Sequence, residues 1–147
     1  MIIQVVGLPC SGKSYYIDNF LLKNPQYNLI KKDIINYSGK NRELLFYKDI
    51  LKDKSSNQFV ESACGLSNLE SIVVLVRASK ENYRINTLER DAKYTKNDLE
   101  QIESQIIPAT YTVYNQDSFE ALIHSLLGEK SDERINYNSR ADRSTIF

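Results

Sequence analysis

The chain has 147 residues, with 19 acidic and 19 basic side chains in balance, one histidine and two cysteines. That length suits one domain with a buried core. The zero net charge excludes a global field that would draw the chain to long nucleic acid or a membrane surface. Two cysteines do not make a disulfide framework, and no apolar run approaches the roughly 20 residues needed to span a bilayer.

The chain opens on Ile2–Val6, a short apolar run with strand propensity. No charged leader or cleavage site precedes it, and the cysteines read as reduced thiols, so a cytoplasmic protein is expected. A glycine-rich turn follows, then a helix over Ser14–Lys23 with Tyr16, Ile17, Phe20 and Leu21 on one face. Pro25 ends it. Tyr27–Ile30 reads as a second strand that finishes in Lys31-Lys32-Asp33. Ser38-Gly39 is a break, with Ser38 a candidate N-cap for a helix from Asn41 to Lys52. Asn57–Ala63 is the third strand, carrying Glu61 and Ser62 at its end, and Ser67–Ser71 reads as a short helical turn. Ile72–Val76 is the clearest strand, β-branched and apolar on both faces as a central parallel strand should be, and it ends at Arg77.

A long helical region is predicted from Lys80 to Ile107, broken near Tyr94-Thr95-Lys96, with Thr95 capping its second half and Pro108 stopping it. Thr110–Tyr114 is the fifth strand. Ser118 caps a last helix that runs to Leu127 and ends at Gly128. Residues 129–147 are charged and poor in apolar side chains, and read as a mobile tail after a domain over residues 1–128. Strands alternating with helices predict an α/β fold with a five-stranded, mostly parallel sheet.

Gly7-Leu8-Pro9-Cys10-Ser11-Gly12-Lys13-Ser14 has the spelling G-x-x-x-x-G-K-S, the pattern of a phosphate-binding loop. Its glycines allow a tight curl, its amides converge on anionic oxygens, and the following helix presents its positive end there. Residues 7–15, through Tyr15, are the candidate nucleotide-binding segment, with ATP as the donor. Lys13 can reach the β- and γ-phosphates, and the Ser14 hydroxyl can ligate Mg²⁺.

Ligands in such sheets lie beyond the carboxyl ends of the strands, which makes strand ends informative. Asp33 could orient or deprotonate an acceptor hydroxyl, and Glu61 could hold Mg²⁺ or its water shell. Arg90 and Arg84, in the region after the fourth strand, could cover the charge of a transferring phosphoryl group. Arg42, and with it Lys32 or Arg77, could meet an acceptor phosphate. His124 faces the apolar side of the last helix and reads as structural. The competing reading of each charge is an ordinary solvated surface.

The arrangement resembles the small P-loop kinases of the nucleoside-monophosphate-kinase-like group over residues 1–128. The loop, Lys23-Asn24-Pro25 and Asp33 resemble phage-type polynucleotide 5′-kinases, although Asn36 stands where that family carries an arginine. Arg90-Asp91, the segment from Thr95 to Glu103 with Gln105, and Tyr111–Asn115 resemble dephospho-coenzyme A kinases. The resemblance implies a kinase using ATP and Mg²⁺, with Lys13, Asp33, Arg90 and Arg84 catalytic. It implies a nucleotide, a nucleoside or a nucleic-acid 5′ end as acceptor. The other reading is a nucleotide-binding regulatory ATPase or switch. The guanine-reading Asn-Lys-x-Asp motif of GTPases is absent from the sequence.

Overall fold

The computed structural model describes residues 1–79, 84, 85, 87 and 93–128. The elements run β1 (Ile2–Val6), α1 (Lys13–Lys23), a 3-10 turn (Pro25–Tyr27), β2 (Ile30–Asp33), a second 3-10 turn (Ile34–Asn36), α2 (Arg42–Lys52) and β3 (Gln58–Glu61). They continue with β4 (Ile72–Val76), α3 (Lys96–Gln105), β5 (Tyr111–Val113) and α4 (Gln116–Gly128). The sheet has five strands in the order β2-β3-β1-β4-β5, and every pairing is parallel. The protein is therefore an α/β fold with an all-parallel sheet and β1 at its centre.

Strand periodicity sorts the core into two faces. Ile3 and Val5 of β1, with Phe59, Val74, Val76 and Val113, pack against Ile17 and Phe20 of α1 and Phe119, Leu122 and Ile123 of α4. On the other face, Phe46 and Ile50 of α2 meet Val60, Leu66 and Leu69, while Val6, Val73 and Leu75 meet Ile106 and Ile107 just beyond α3. Gln4, fully buried in the central strand, is satisfied: its Nε2 donates to Leu66 O at 3.0 Å and Ser71 Oγ at 2.8 Å, and its Oε1 accepts from Leu66 N at 2.8 Å.

Several sequence expectations are corrected by local packing. Tyr27, Asn28 and Leu29 are not strand. Pro25 starts a 3-10 turn that Asn28 closes at φ 52°, and Tyr27 stacks on Phe20 with ring centroids 5.9 Å apart. The N-cap position of α2 is Asn41 rather than Ser38, with no side-chain cap bond. Residues 67–71 form a turn and bends, not a helical turn. The last helix starts earlier than expected, because Asn115 Oδ1 accepts from Ser118 N at 2.8 Å and takes the capping role expected of Ser118. Thr95 does cap α3, in a reciprocal capping box with Asp98. His124 is structural, its Nδ1 lying 2.7 Å from Tyr27 Oη. Arg90, the rest of residues 80–92 apart from 84, 85 and 87, and the tail lie outside the described residues.

Lys32 is also corrected. Its ammonium is buried against α2, 3.0 Å from Asp49 Oδ1 and 2.6 Å from Asp53 Oδ2, and it also donates to Asp49 O at 3.0 Å. It pins α2 to the sheet and does not face the carboxyl-end cleft. Lys32→Met is expected to cost about 2 kcal/mol in chemical denaturation, less than a fully buried pair because both carboxylates stay partly hydrated.

Candidate active site

The loop of residues 7–14 fills the turn between β1 and α1, and its conformation explains its spelling. Gly7 has φ 151°, and a Cβ there would lie 2.5 Å from Val76 O. Gly12, the N-cap position of α1, has φ 102°. Cys10 adopts φ 66° without being glycine, a left-handed conformation that costs a Cβ-bearing residue about 1 kcal/mol. No side chain caps α1, so its first amides are available to an anion. Lys13 is buried, and its Nζ donates to Gly7 O at 2.7 Å and Leu8 O at 3.0 Å. The ammonium thus sits across the start of the loop.

Register brings the carboxylates alongside. Asp33 pairs with Glu61 across β2 and β3, and Glu61 with Val5 of β1. Ser14 Oγ donates to Glu61 Oε1 at 3.0 Å. Burial raises the Glu61 pKa, and Asp33 raises it further. The Ser14 hydrogen bond, then Lys31, then Lys13 act against the rise. A desolvated carboxylate beside a hydroxyl at the phosphate loop offers two hard oxygen donors, so the pair fits Mg²⁺, which commonly takes one or two protein oxygens and completes its shell with water and phosphate. Among the described residues, no group of three or more His, Cys, Asp or Glu could hold a metal unaided.

The raised Glu61 pKa has a consequence for stability. A carboxyl whose pKa is raised by folding favours the fold below its unfolded value, 4.5, and that contribution is lost as pH rises through the folded value. Glu61→Gln is therefore expected to raise the melting temperature at pH 7, with the gain shrinking as pH falls towards 4.5. Thermal unfolding of both proteins across that range checks this.

Asp33 Oδ1 accepts from Ile35 N at 3.0 Å, which fixes the carboxylate at the head of the 3-10 turn. Arg42, the first residue of α2, donates from Nε to Ile34 O at 3.2 Å, which ties it to the residue that follows Asp33. Tyr15 is 64 % exposed and meets the Tyr16 ring edge-on. Arg77 pairs with Glu103 of α3, which occupies its guanidinium. Arg84 is exposed and helical, and among the described residues nothing links it to the loop.

Two features escaped the sequence. Lys31 Nζ lies 3.1 Å from Ser14 Oγ, 2.8 Å from Asp18 Oδ1 and 3.7 Å from Glu61 Oε1. Strand alternation could have found it, since Lys31 and Asp33 share a face opposite Lys32. The second is a cavity of about 330 Å³ between Leu8 and Ser11 of the loop, Val76 and Ala78 at the end of β4, and Leu99 and Glu103 of α3. Among the described residues, the buried oxygens Ser11 Oγ and Glu103 Oε2 have no hydrogen-bond partner. The pairing of Arg77 with Glu103 that helps to form this wall is tertiary, and no local pattern encodes it.

The sequence matches no protein-family model and no curated protein. The fold is similar to several solved structures. An unliganded sugar kinase from Janibacter sp. HTCC2649 shares 7 % identity at a TM-score of 0.59, over 84 % of this chain and 92 % of that one. A putative kinase from Chloroflexus aurantiacus shares 13 % at 0.57, over 86 % and 97 %. Shikimate kinase from Aquifex aeolicus shares 16 % at 0.52, over 86 % and 96 %. At these identities the likeness is one of fold.

Proposed function

We propose that this chain is an ATP-dependent kinase that transfers the γ-phosphoryl group to a small hydroxyl-bearing acceptor. The observation that carries the reading is the convergence of the loop, Lys13, Ser14, Glu61 and Asp33 at the carboxyl ends of three adjacent strands. The loop amides and Lys13 hold the triphosphate, Lys13 at the β- and γ-phosphates. Mg²⁺ bound through Ser14 and Glu61 would neutralise charge on those phosphates. Asp33 orients the acceptor hydroxyl and takes its proton, and Arg42, at the start of α2, holds an anionic group of the acceptor. Arg90, with Arg84, covers the transferring group.

Fold neighbours described as a sugar kinase and a shikimate kinase support a small-molecule acceptor, and the balanced charge argues against a polymer. Nucleosides and nucleoside monophosphates fall within that class. The cavity beside Leu8 and Ser11 adjoins the loop residue whose carbonyl accepts from Lys13 Nζ, and its apolar lining suits the body of such a molecule.

The test is transfer from γ-labelled ATP to sugars, shikimate, nucleosides, nucleoside monophosphates, dephospho-coenzyme A and 5′-hydroxyl oligonucleotides. Label in one small acceptor is the expected result. Label released only to water would favour the regulatory ATPase. Asp33→Asn should lower kcat for the productive acceptor by about 10²–10³-fold while leaving nucleotide affinity within twofold.

A further inference from the structure

The Ser14–Glu61 pair is not alone at the head of α1. The Ser14 hydroxyl that donates to Glu61 Oε1 also accepts from Lys31 Nζ at 3.1 Å. The same ammonium lies 3.7 Å from Glu61 Oε1 and donates to Asp18 Oδ1 at 2.8 Å. Asp18 stands one helical turn beyond Ser14 on α1, and Asp33 adds a further favourable charge from the same strand as Lys31. The chain thus places its own cation on the two oxygens that would receive a divalent metal.

A divalent ion on Ser14 and Glu61 would need those oxygens and would repel an ammonium left within about 4 Å. Lys31 has somewhere to go, because it already holds Asp18. Retreat towards Asp18 breaks its contacts to Ser14 and Glu61 and keeps the third. Without metal, its presence keeps a buried carboxylate paired, which an apolar side chain could not do.

We propose that Lys31 is an internal competitor for the metal position: it occupies the Ser14–Glu61 pair and withdraws onto Asp18 when a divalent cation binds. The proposal rests on the reading of Ser14 and Glu61 as metal ligands. It makes bare metal bind weakly, so that metal enters with the nucleotide whose phosphates supply the remaining charge. An occupancy of the pair by Lys31 of roughly nine-tenths would lower the apparent metal affinity about tenfold.

The test measures Mn²⁺ affinity of the full chain without nucleotide, from the electron paramagnetic resonance signal of the free ion. Lys31→Met should bind Mn²⁺ about tenfold tighter than the parent, and Lys31→Arg should stay within about twofold. Asp18→Asn should weaken binding several-fold when Lys31 is present and less than about twofold in the Lys31→Met background. Equal effects of Asp18→Asn in both backgrounds would show a mere field effect and overturn the proposal.

An independent readout uses the unaltered sequence with ¹³C-methylated lysines. The Lys31 resonance, assigned by its loss in Lys31→Arg, should shift on titration with Mg²⁺, and its constancy at saturation would overturn the displacement. Glu61→Gln separates the two layers. Loss of Mn²⁺ binding in Glu61→Gln with unchanged affinity in Lys31→Met sinks the competitor alone. Full Mn²⁺ affinity in Glu61→Gln sinks the metal assignment and the competitor with it.

Discussion

Lys13→Met is expected to lower kcat/KM for phosphoryl transfer by at least about 100-fold, the scale of removing one positioned charge from a phosphoryl-transfer site. The ammonium donates to Gly7 O and Leu8 O, so the loop backbone helps to set its place. Methionine has nearly the same length and no charge, so the loss isolates the cation. Lys13→Arg should fail almost as badly, since the seat is buried and a longer, planar guanidinium cannot put a compact point charge in it. Circular dichroism should show both variants folded. Transfer by Lys13→Met within about threefold of the parent would remove the loop from the mechanism.

What the sequence disclosed follows a physical division. β1 and β4 are legible because both are short apolar runs buried on two faces, and the predicted Ile2–Val6 and Ile72–Val76 are the observed strands. Thr95 is legible because a capping box is local: the donor, the acceptor and the spacing to Asp98 all lie in four residues. β2 was displaced because Tyr27 has strand propensity, yet its ring is claimed by Phe20 and its hydroxyl by His124, 97 residues away. Propensity yields to tertiary packing of that kind. At the end of β5, Asn115 and Ser118 both have capping chemistry. The earlier residue prevails, and Gln116, now helical, donates to Tyr16 O on α1.

The site divides in the same way. The loop is a contiguous motif, and Asp33 and Glu61 stand at strand ends, so topology alone brings them together. Lys31 follows from Asp33 by strand alternation, but its contacts to Ser14 and Asp18 on α1 are tertiary and no spacing shows them. Glu103 required the fold of α3 over the sheet, which no spacing reveals.

Gly7→Ala is expected to damage folding and binding together. The added Cβ would stand 2.5 Å from Val76 O and 3.1 Å from Ser11 Oγ, at φ 151°. The carbonyl cannot turn aside, because Val76 is the last residue of β4 and pairs with Val113 of β5. Gly7 cannot retreat either, since its own amide donates to Ala63 O at 3.0 Å. Relief must come from moving the loop away from β4, which costs packing and forces an unfavourable backbone. About 3 kcal/mol is the expected loss, or a fall in melting temperature on the order of 10 °C for a domain of this size. The displaced loop also carries the Gly7 and Leu8 carbonyls that seat Lys13. Nucleotide affinity by titration calorimetry should therefore drop at least about tenfold at a temperature where the variant is still folded. A variant that loses stability but keeps full nucleotide affinity would show that the loop can shift without moving the ammonium, and would separate the packing role of Gly7 from its role in the site.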